Sequence, residues 1–255
     1  MVNLKNFKPQ TSNYKLIMNI ALIGYGKMGK TIEEIALQRG HAIVLIIDIT
    51  NQSDLTKENL SKADVAIEFT GPESAYHNVL TCMKAGVPMV VGSTGWLDHL
   101  EEAKNACIEN KTALLVSSNF SVGVNIFFEI NKRLAELMNS HTNYNVSMEE
   151  IHHTTKKDAP SGTAITLAEQ ILEKISSKTN WVNKSASKPE ELSIISKRID
   201  PAPGIHTIIY SSDIDDIEIK HTAHNRKGFA SGAVLAAEFL AGKKGIYSMS
   251  DVLGL

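Results

Sequence analysis

Residues 20–36 read IALIGYGKMGKTIEEIA. Four apolar residues run into Gly24, Gly26 and Gly29, which stand in G-x-G-x-x-G spacing, and a helical pattern follows. A buried strand, a tight turn and a helix in that order mark the start of a parallel α/β sheet. Each glycine has its own mechanical reason: Gly24 for the turn, Gly26 so that a pyrophosphate can approach the backbone, Gly29 for close packing of helix on strand. The helix N-terminus then offers free N–H groups and a positive dipole end to phosphate.

Working outward, solid apolar runs recur at Ala42 to Asp48, Val65 to Phe69, Val87 to Val91 and Ala113 to Val116. Thr31 to Gln38, Ser74 to Lys84 and Leu97 to Glu109 between them read as helices, with Tyr76, Val79, Leu80 and Met83 on one helical face. Strands without alternation belong to a parallel sheet covered on both faces. Asp48 ends the second strand 19 residues after Gly29, where an acid accepts hydrogen bonds from an adenosine ribose. No Arg or Lys follows at 49–53 to compensate the 2′-phosphate of NADPH, so NADH should be at least tolerated. FTGP (69–72) and GSTG (92–95) lie at strand ends where a nicotinamide would sit.

After Asn119 the pattern changes. A helix from about Val124 to Asn139 leads to Tyr144, Val146 and Met148, which alternate with Asn145, Ser147 and Glu149 as in a half-exposed strand. Leu192 to Arg198, Ile205 to Ser212 and Asp216 to His221 are further strands, and 176–190 reads as a surface loop. FASGAVLAAEFLAG (229–242) is a helix rich in small residues that can return to the first unit. The expected fold is α/β: a Rossmann-like parallel-sheet domain over 18–122 with 228–255, and an α+β domain with a mixed or antiparallel sheet over 123–227. Residues 1–17 read as a disordered extension ahead of Met18.

The chain has 255 residues, enough for two ordinary domains, with a net charge of −2 that gives no electrostatic reason to expect nucleic acid. No apolar run approaches the roughly 18 residues of a membrane span. Cys82 and Cys107 lack metal-ligand or C-x-x-C spacing and read as packing residues of a reducing, cytoplasmic compartment.

The densest chemistry lies in HHTTKKDAPSGTA, 152–164. Pro160 keeps Ala159 out of helix, and Ser161 can cap a helix carrying Ile165, Leu167, Ala168 and Ile171. The N–H groups of Gly162 and Thr163, with the hydroxyls of Ser161 and Thr163, form an anion site at that helix end. His152 and His153 should point to opposite faces if their strand continues. A histidine suits proton movement near neutrality, and Lys156 and Lys157 supply cations for carboxylates. Adjacent histidines without a spaced third ligand match no common zinc pattern.

From Met18 to the C-terminus, EEIHHTTKKDAPSGTA, GYGKMG, IEFTGP, GSTGW and SNFSVGVN resemble, in their order, the dihydrodipicolinate reductase (4-hydroxy-tetrahydrodipicolinate reductase) family of the diaminopimelate route to lysine. The resemblance implies reduction of a cyclic dicarboxylate imine by NADH or NADPH, without metal, in a homotetramer. It implies His152 as proton donor and acceptor, Lys156 as proton donor, and His153, Ser161, Gly162 and Thr163 as substrate contacts. The cofactor would lie against Gly24, Tyr25, Gly26, Lys27, Met28 and Gly29, against Asp48 and Phe69, against Gly92, Ser93 and Thr94, and against Ser117, Ser118, Asn119 and Phe120. Arg198, Gly204 and His206 keep the family's order, although DPAP (200–203) departs from its usual link. Two-site geometry further implies hinge closure near Val122 to Val124 and Arg226 to Phe229, and Arg226 is a candidate carboxylate contact. An aspartate or homoserine dehydrogenase type would account for the first half but not for HHTTKKDAPSGT. A dinucleotide-sensing regulator would need a DNA-binding helix pair or a basic patch, and neither is evident.

Overall fold

The computed structural model describes residues 17–225 and 227–255; all but the last residue of the extension expected over 1–17, and the contact expected of Arg226, lie outside them. The opening motif folds as strand β1 (Asn19–Ile23) and helix α1 (Lys27–Gln38). The helix begins four residues earlier than the periodicity suggests, because Gly26 serves as its N-cap and Gly29 sits inside its first turn. Strands β2 (Ala42–Ile47), β3 (Val65–Glu68), β4 (Met89–Val91) and β5 (Ala113–Val116) follow, with helices α2 (Lys57–Leu60), α3 (Pro72–Ala85) and α4 (Leu100–Glu109) between them. Residues Leu97–His99 form a 3₁₀ turn rather than the first turn of α4.

All neighbouring strands in this sheet are parallel. Ile20 and Leu22 enter one core while Ala21 and Ile23 enter another on the opposite face, which is why these strands are apolar throughout. On α3 the buried stripe is Ala75, Asn78, Val79, Cys82 and Met83, rotated slightly from the expected one, with Tyr76 only half-buried. Both cysteines are free and buried, as packing residues should be.

Helix α5 (Val122–Met138) opens the second half, followed by β6 (Asn145–His152), α6 (Gly162–Lys174), β7 (Asn180–Val182), β8 (Glu191–Arg198), β9 (Gly204–Ser211) and β10 (Asp216–Ala223). The sheet runs β10-β9-β6-β8-β7 and is mixed, antiparallel at β10-β9-β6 and parallel at β6-β8-β7. One face packs on α5 and α6 through Phe127, Met148, Leu167, Ile194 and Ile208. Strand β7 corrects the reading of 176–190 as loop. Trp181 packs against that core, and buried Lys178 donates to the carbonyls of Pro189 and Glu191, giving the polar stretch a fixed frame.

Helix α7 (Lys227–Leu240) returns to the first sheet, burying Ala230, Ala233, Val234, Ala236, Ala237 and Leu240 with Ile20 and Leu22. A Cβ on Gly232 would stand 1.7 Å from the carbonyl oxygen of Phe120, so only glycine lets α7 come this close to the loop after β5. Glu238 accepts from Arg39 Nε at 2.9 Å and sits 2.8 Å from His41 Nε2, tying α7 to the end of α1. Strand β11 (Gly245–Tyr247), too short to read from sequence, adds a sixth member beside β5, and α8 (Met249–Leu253) ends the fold. The first sheet therefore runs β11-β5-β4-β3-β1-β2. Among the described residues no helix is long and apolar enough to cross a membrane.

Candidate active site

The glycine turn has the geometry a dinucleotide needs. Gly24 has φ +96°, and a Cβ there would stand 2.1 Å from the carbonyl oxygen of Phe69. On Gly29 a Cβ would stand 2.2 Å from the carbonyl oxygen of Gly24, whereas one on Gly26 would meet nothing within 4 Å. Two glycines thus close the turn onto itself and the third leaves open space before the N-terminus of α1. A pyrophosphate fits that cradle, since the backbone N–H groups there have no intrahelical partners.

A cavity of about 500 Å³ extends from this turn, lined by Gly24, Tyr25, Gly26, Asp48, Phe69 and Thr70 among others. Asp48 stands at its rim, held by the N–H and hydroxyl of Thr50 at 2.7 and 2.6 Å, and those bonds keep its carboxyl below the usual range. Phe69, Thr70 and Gly71 also line a second hollow, of about 240 Å³, with Met28, Gly92, Ser93 and Thr94. Met28 and Thr94 in turn line a third, of about 710 Å³, together with Ser118, Asn119 and the HHTTKKDAPSGT segment. A continuous track joins the expected cofactor residues to the expected substrate residues.

Some expected residues stand apart from this track. Lys27 is exposed and lines none of the three hollows. Ser117 exchanges hydrogen bonds with the backbone of Asn119, shaping the loop after β5. Phe120 is a core residue, 1% exposed and packed on Phe69 with ring centroids 5.8 Å apart.

The third hollow owes its chemistry to register. Pairing in the second sheet sets His152 opposite Arg198 and Glu150 opposite His206. Alternation puts all four on the face toward α6, at the end where the segment leaves β6. His152 ends β6 and is 8% exposed; its Nδ1 lies 3.2 Å from the carbonyl oxygen of Pro203. Gly204 makes room for the ring, since a Cβ there would stand 2.9 Å from His152 Cε1. The strand stops here, so the backbone turns and His153 lines the same hollow instead of pointing away from it.

Ser161 is the N-cap of α6, its hydroxyl accepting from the N–H of Ala164 at 3.2 Å and lying 3.1 Å from His206 Nε2. Gly162 and Thr163 follow as its first residues, and a Cβ on Gly162 would meet nothing within 4 Å. Asn119 donates to the hydroxyl of Thr163 at 3.3 Å. Lys156 lines the hollow with Nζ 2.8 Å from Asp158 Oδ2, and that bond holds the Asp158 carboxyl below the usual carboxylate range. Arg198 holds the loop to the sheet, donating to the carbonyls of Lys156 and Asp158 and reaching Glu150 at 3.3 Å.

Burial pulls His152 below the usual imidazole range against the pull of Glu150, and pulls His206 down to about 4. Desolvation pushes Glu150 up, but hydrogen bonds from Ser161 and Ser196, with the nearby His152, together outweigh it and keep the carboxyl below its usual range. Sequence reasoning missed Glu150, the buried Glu68 at the end of β3, and the roles of Arg198 and His206. The available signal was a charged residue on the buried face of a strand, legible for Glu68 in VAIEF but not for Glu150, which follows another glutamate, Glu149, and precedes two histidines at 152 and 153. Glu150, His152 and His206 also bring one ligand atom each within 4.8 Å, a grouping unseen in sequence because His206 comes from another strand.

The third hollow thus combines an anion-binding helix end, a lysine, and a buried imidazole, next to a cradle for a dinucleotide. Comparison with known proteins agrees. The family model described as dihydrodipicolinate reductase, N-terminus, matches residues 18–120, and that described as dihydrodipicolinate reductase, C-terminus, matches 123–253. A curated relative from Christiangramia forsetii named 4-hydroxy-tetrahydrodipicolinate reductase is 50% identical over 238 residues, covering 92% of this chain and 98% of its own. A relative of the same name from Methanococcoides burtonii is 39% identical over 232 residues, 89% of this chain and 86% of its own. The solved dipicolinate-bound dihydrodipicolinate reductase from Paenisporosarcina sp. TG-14 shares the fold, with TM-score 0.73 at 24% identity over 91% of this chain and 98% of that one. Matched in both halves and over nearly its whole described length, the chain belongs to the dihydrodipicolinate reductase family.

Proposed function

We propose that this chain is an NAD(P)H-dependent 4-hydroxy-tetrahydrodipicolinate reductase acting in the diaminopimelate route to lysine. The observation that carries the reading is the single hollow shared by Met28 and Thr94 from the glycine-turn half and by His152, Lys156, Ser161, Gly162 and Thr163 from the other. When bound, the reduced nicotinamide supplies a hydride and is itself oxidised. The free N–H groups of Gly162 and Thr163, the hydroxyls of Ser161 and Thr163, and His153 hold the carboxylates of a cyclic imine. Lys156 adds a cation beside them. The conjugated ring accepts the hydride's electron pair, and the charge that develops is quenched by one proton from Lys156 or His152. A hydroxylated substrate loses water to give the same acceptor.

Asp48 at the rim of the adenosine end supports acceptance of NADH. The residues given these roles need no metal. Division into 18–122 with 228–255 and 123–227 is supported by the core that α7 shares with β1. The face of the second sheet away from α5 and α6 carries Ile151, Ile195, Ile205 and Ile209, half-buried, which supports assembly as a homotetramer through that face. The place of action on this reading is the cytoplasm.

The test supplies freshly made product of the preceding synthase with NADH deuterated at the transferred position. A product carrying one deuterium is expected; cofactor oxidation without deuterium in the product would sink the reading. Replacing His152 and Lys156 in turn identifies the proton source, and nearly unchanged turnover in both variants would remove that role from the pair.

A further inference from the structure

Glu150 is 0% exposed, and taking a carboxylate out of water costs several kcal/mol unless it is well partnered. Arg198 is its one cationic neighbour among the described residues and stands at 3.3 and 3.4 Å, while the same guanidinium donates to the Lys197 carbonyl at 2.8 Å. The shorter bonds to the carboxylate come from elsewhere. The backbone N–H of Ser161 meets both of its oxygens, at 3.1 and 3.0 Å. Glu150 therefore fixes the residue whose hydroxyl caps α6 and whose next two N–H groups face the hollow.

On its other side, Glu150 Oε2 lies 3.6 Å from His152 Nε2, a buried nitrogen with no hydrogen-bond partner. The opposite ring nitrogen faces the Pro203 carbonyl, which can only accept, so Nδ1 carries the hydrogen. A neutral ring in this tautomer turns a lone pair toward the carboxylate; a charged ring turns an N–H toward it. The carboxylate thus discriminates between the two protonation states of His152. From the other elements, Arg198 on β8, His206 on β9 and Lys156 in the loop face the ring, and none of them favours a positive charge on it.

We propose that Glu150 is a positioning residue of the reduction: its one carboxylate both anchors Ser161, and with it the carboxylate-binding end of α6, and holds the protonated form of His152. The inference rests on the reductase reading for its effect on turnover, but not for its effect on His152. A single rigid anchor on both groups keeps the substrate's grip and the proton store in fixed relation across the catalytic cycle.

The test is Glu150→Gln, which keeps the size and an acceptor for the Ser161 N–H but removes the charge. Titration of the His152 imidazole by NMR, assigned with His152→Asn, is expected to shift about one unit toward acid. The proton-dependent limb of the pH–rate profile should move with it, lowering kcat near neutrality about tenfold while KM changes little. Glu150→Asp, also informative if the glutamine variant does not fold, withdraws the carboxylate from both partners. It should raise KM and shift the titration in the same direction by less. His152 titrating unchanged in whichever variants fold would overturn the proposal. A shifted titration in an enzyme whose wild type does not reduce the imine would instead overturn the reductase reading and leave the Glu150–His152 relation standing.

Discussion

Asn119, in the loop after β5, donates a hydrogen bond to the hydroxyl of Thr163, in the first turn of α6, at 3.3 Å. Through this bond the loop expected to flank the cofactor touches the helix end expected to hold the substrate. Val122 to Val124, where sequence suggested a hinge, form the first turn of α5, with extended Ser121 just before them. Bending there belongs at Ser121, and the other expected hinge includes Arg226, outside the described residues. Asn119→Ala removes the bond to Thr163 and the one that its Oδ1 accepts from the N–H of Ser121 at 2.9 Å, each worth about 1 kcal/mol, and only the first reaches the substrate side. A rise of about fivefold in KM for the dicarboxylate, with circular dichroism unchanged, is the expected result; an unchanged KM would show that Thr163 needs no such partner. Small-angle scattering should show compaction when cofactor and a dicarboxylate inhibitor are both present.

The glycine turn separates folding from binding. A methyl group on Gly29 collides with the Gly24 carbonyl, so Gly29→Ala should cost about 1–3 kcal/mol in urea unfolding. Gly26→Ala meets no protein atom and should leave stability within about 0.5 kcal/mol. Its methyl instead occupies the pyrophosphate approach, and NADH affinity measured by fluorescence should fall at least about tenfold. Equal effects of the two substitutions on both readouts would contradict the division of roles.

Stability should depend on pH through His206. Its imidazole is pulled down to about 4 by burial, while in the unfolded chain it protonates near 6.5. Between those values the unfolded state binds more protons, so this contribution to stability is complete above about 6.5 and is lost as pH falls toward 4, by about 3 kcal/mol in all. Glu150, with a lowered folded value, loses stability in the same direction at lower pH, as it protonates. Urea titrations at several pH values should show a flatter dependence for His206→Asn between 6.5 and 4; identical slopes would place the titrating group elsewhere.

Cofactor choice should respond to Asp48. Its charge, fixed by Thr50 at the rim of the adenosine end, opposes a 2′-phosphate. Asp48→Asn should raise the ratio of kcat/KM for NADPH over NADH by roughly fivefold. No change in that ratio would mean that the ribose lies away from Asp48.

The parallel half of the fold was legible because its strands are buried on both faces and its glycines have separate steric duties. Gly24 and Gly29 meet backbone, and Gly26 meets open space, as their spacing implied. The Ser161 cap was legible for the same local reason. Illegible were features set by pairing between distant strands. His206 faces Glu150 only because β9 runs antiparallel to β6 in one register, and a one-residue slip would turn its ring to the other face. Strands β7 and β11, three residues each, carry too little pattern to read. The expectation that His152 and His153 face apart held only for a strand continuing through both, and β6 ends at His152.

The most direct test follows NADH and NADPH oxidation with freshly generated product of the preceding synthase, in the wild type and in Lys156→Ala. Steady oxidation by the wild type, falling steeply in the variant while nucleotide affinity is retained, is the predicted result. No oxidation with either cofactor, in folded protein that binds the nucleotide, would contradict the reductase account and leave the His152 to Thr163 segment as an anion-binding loop.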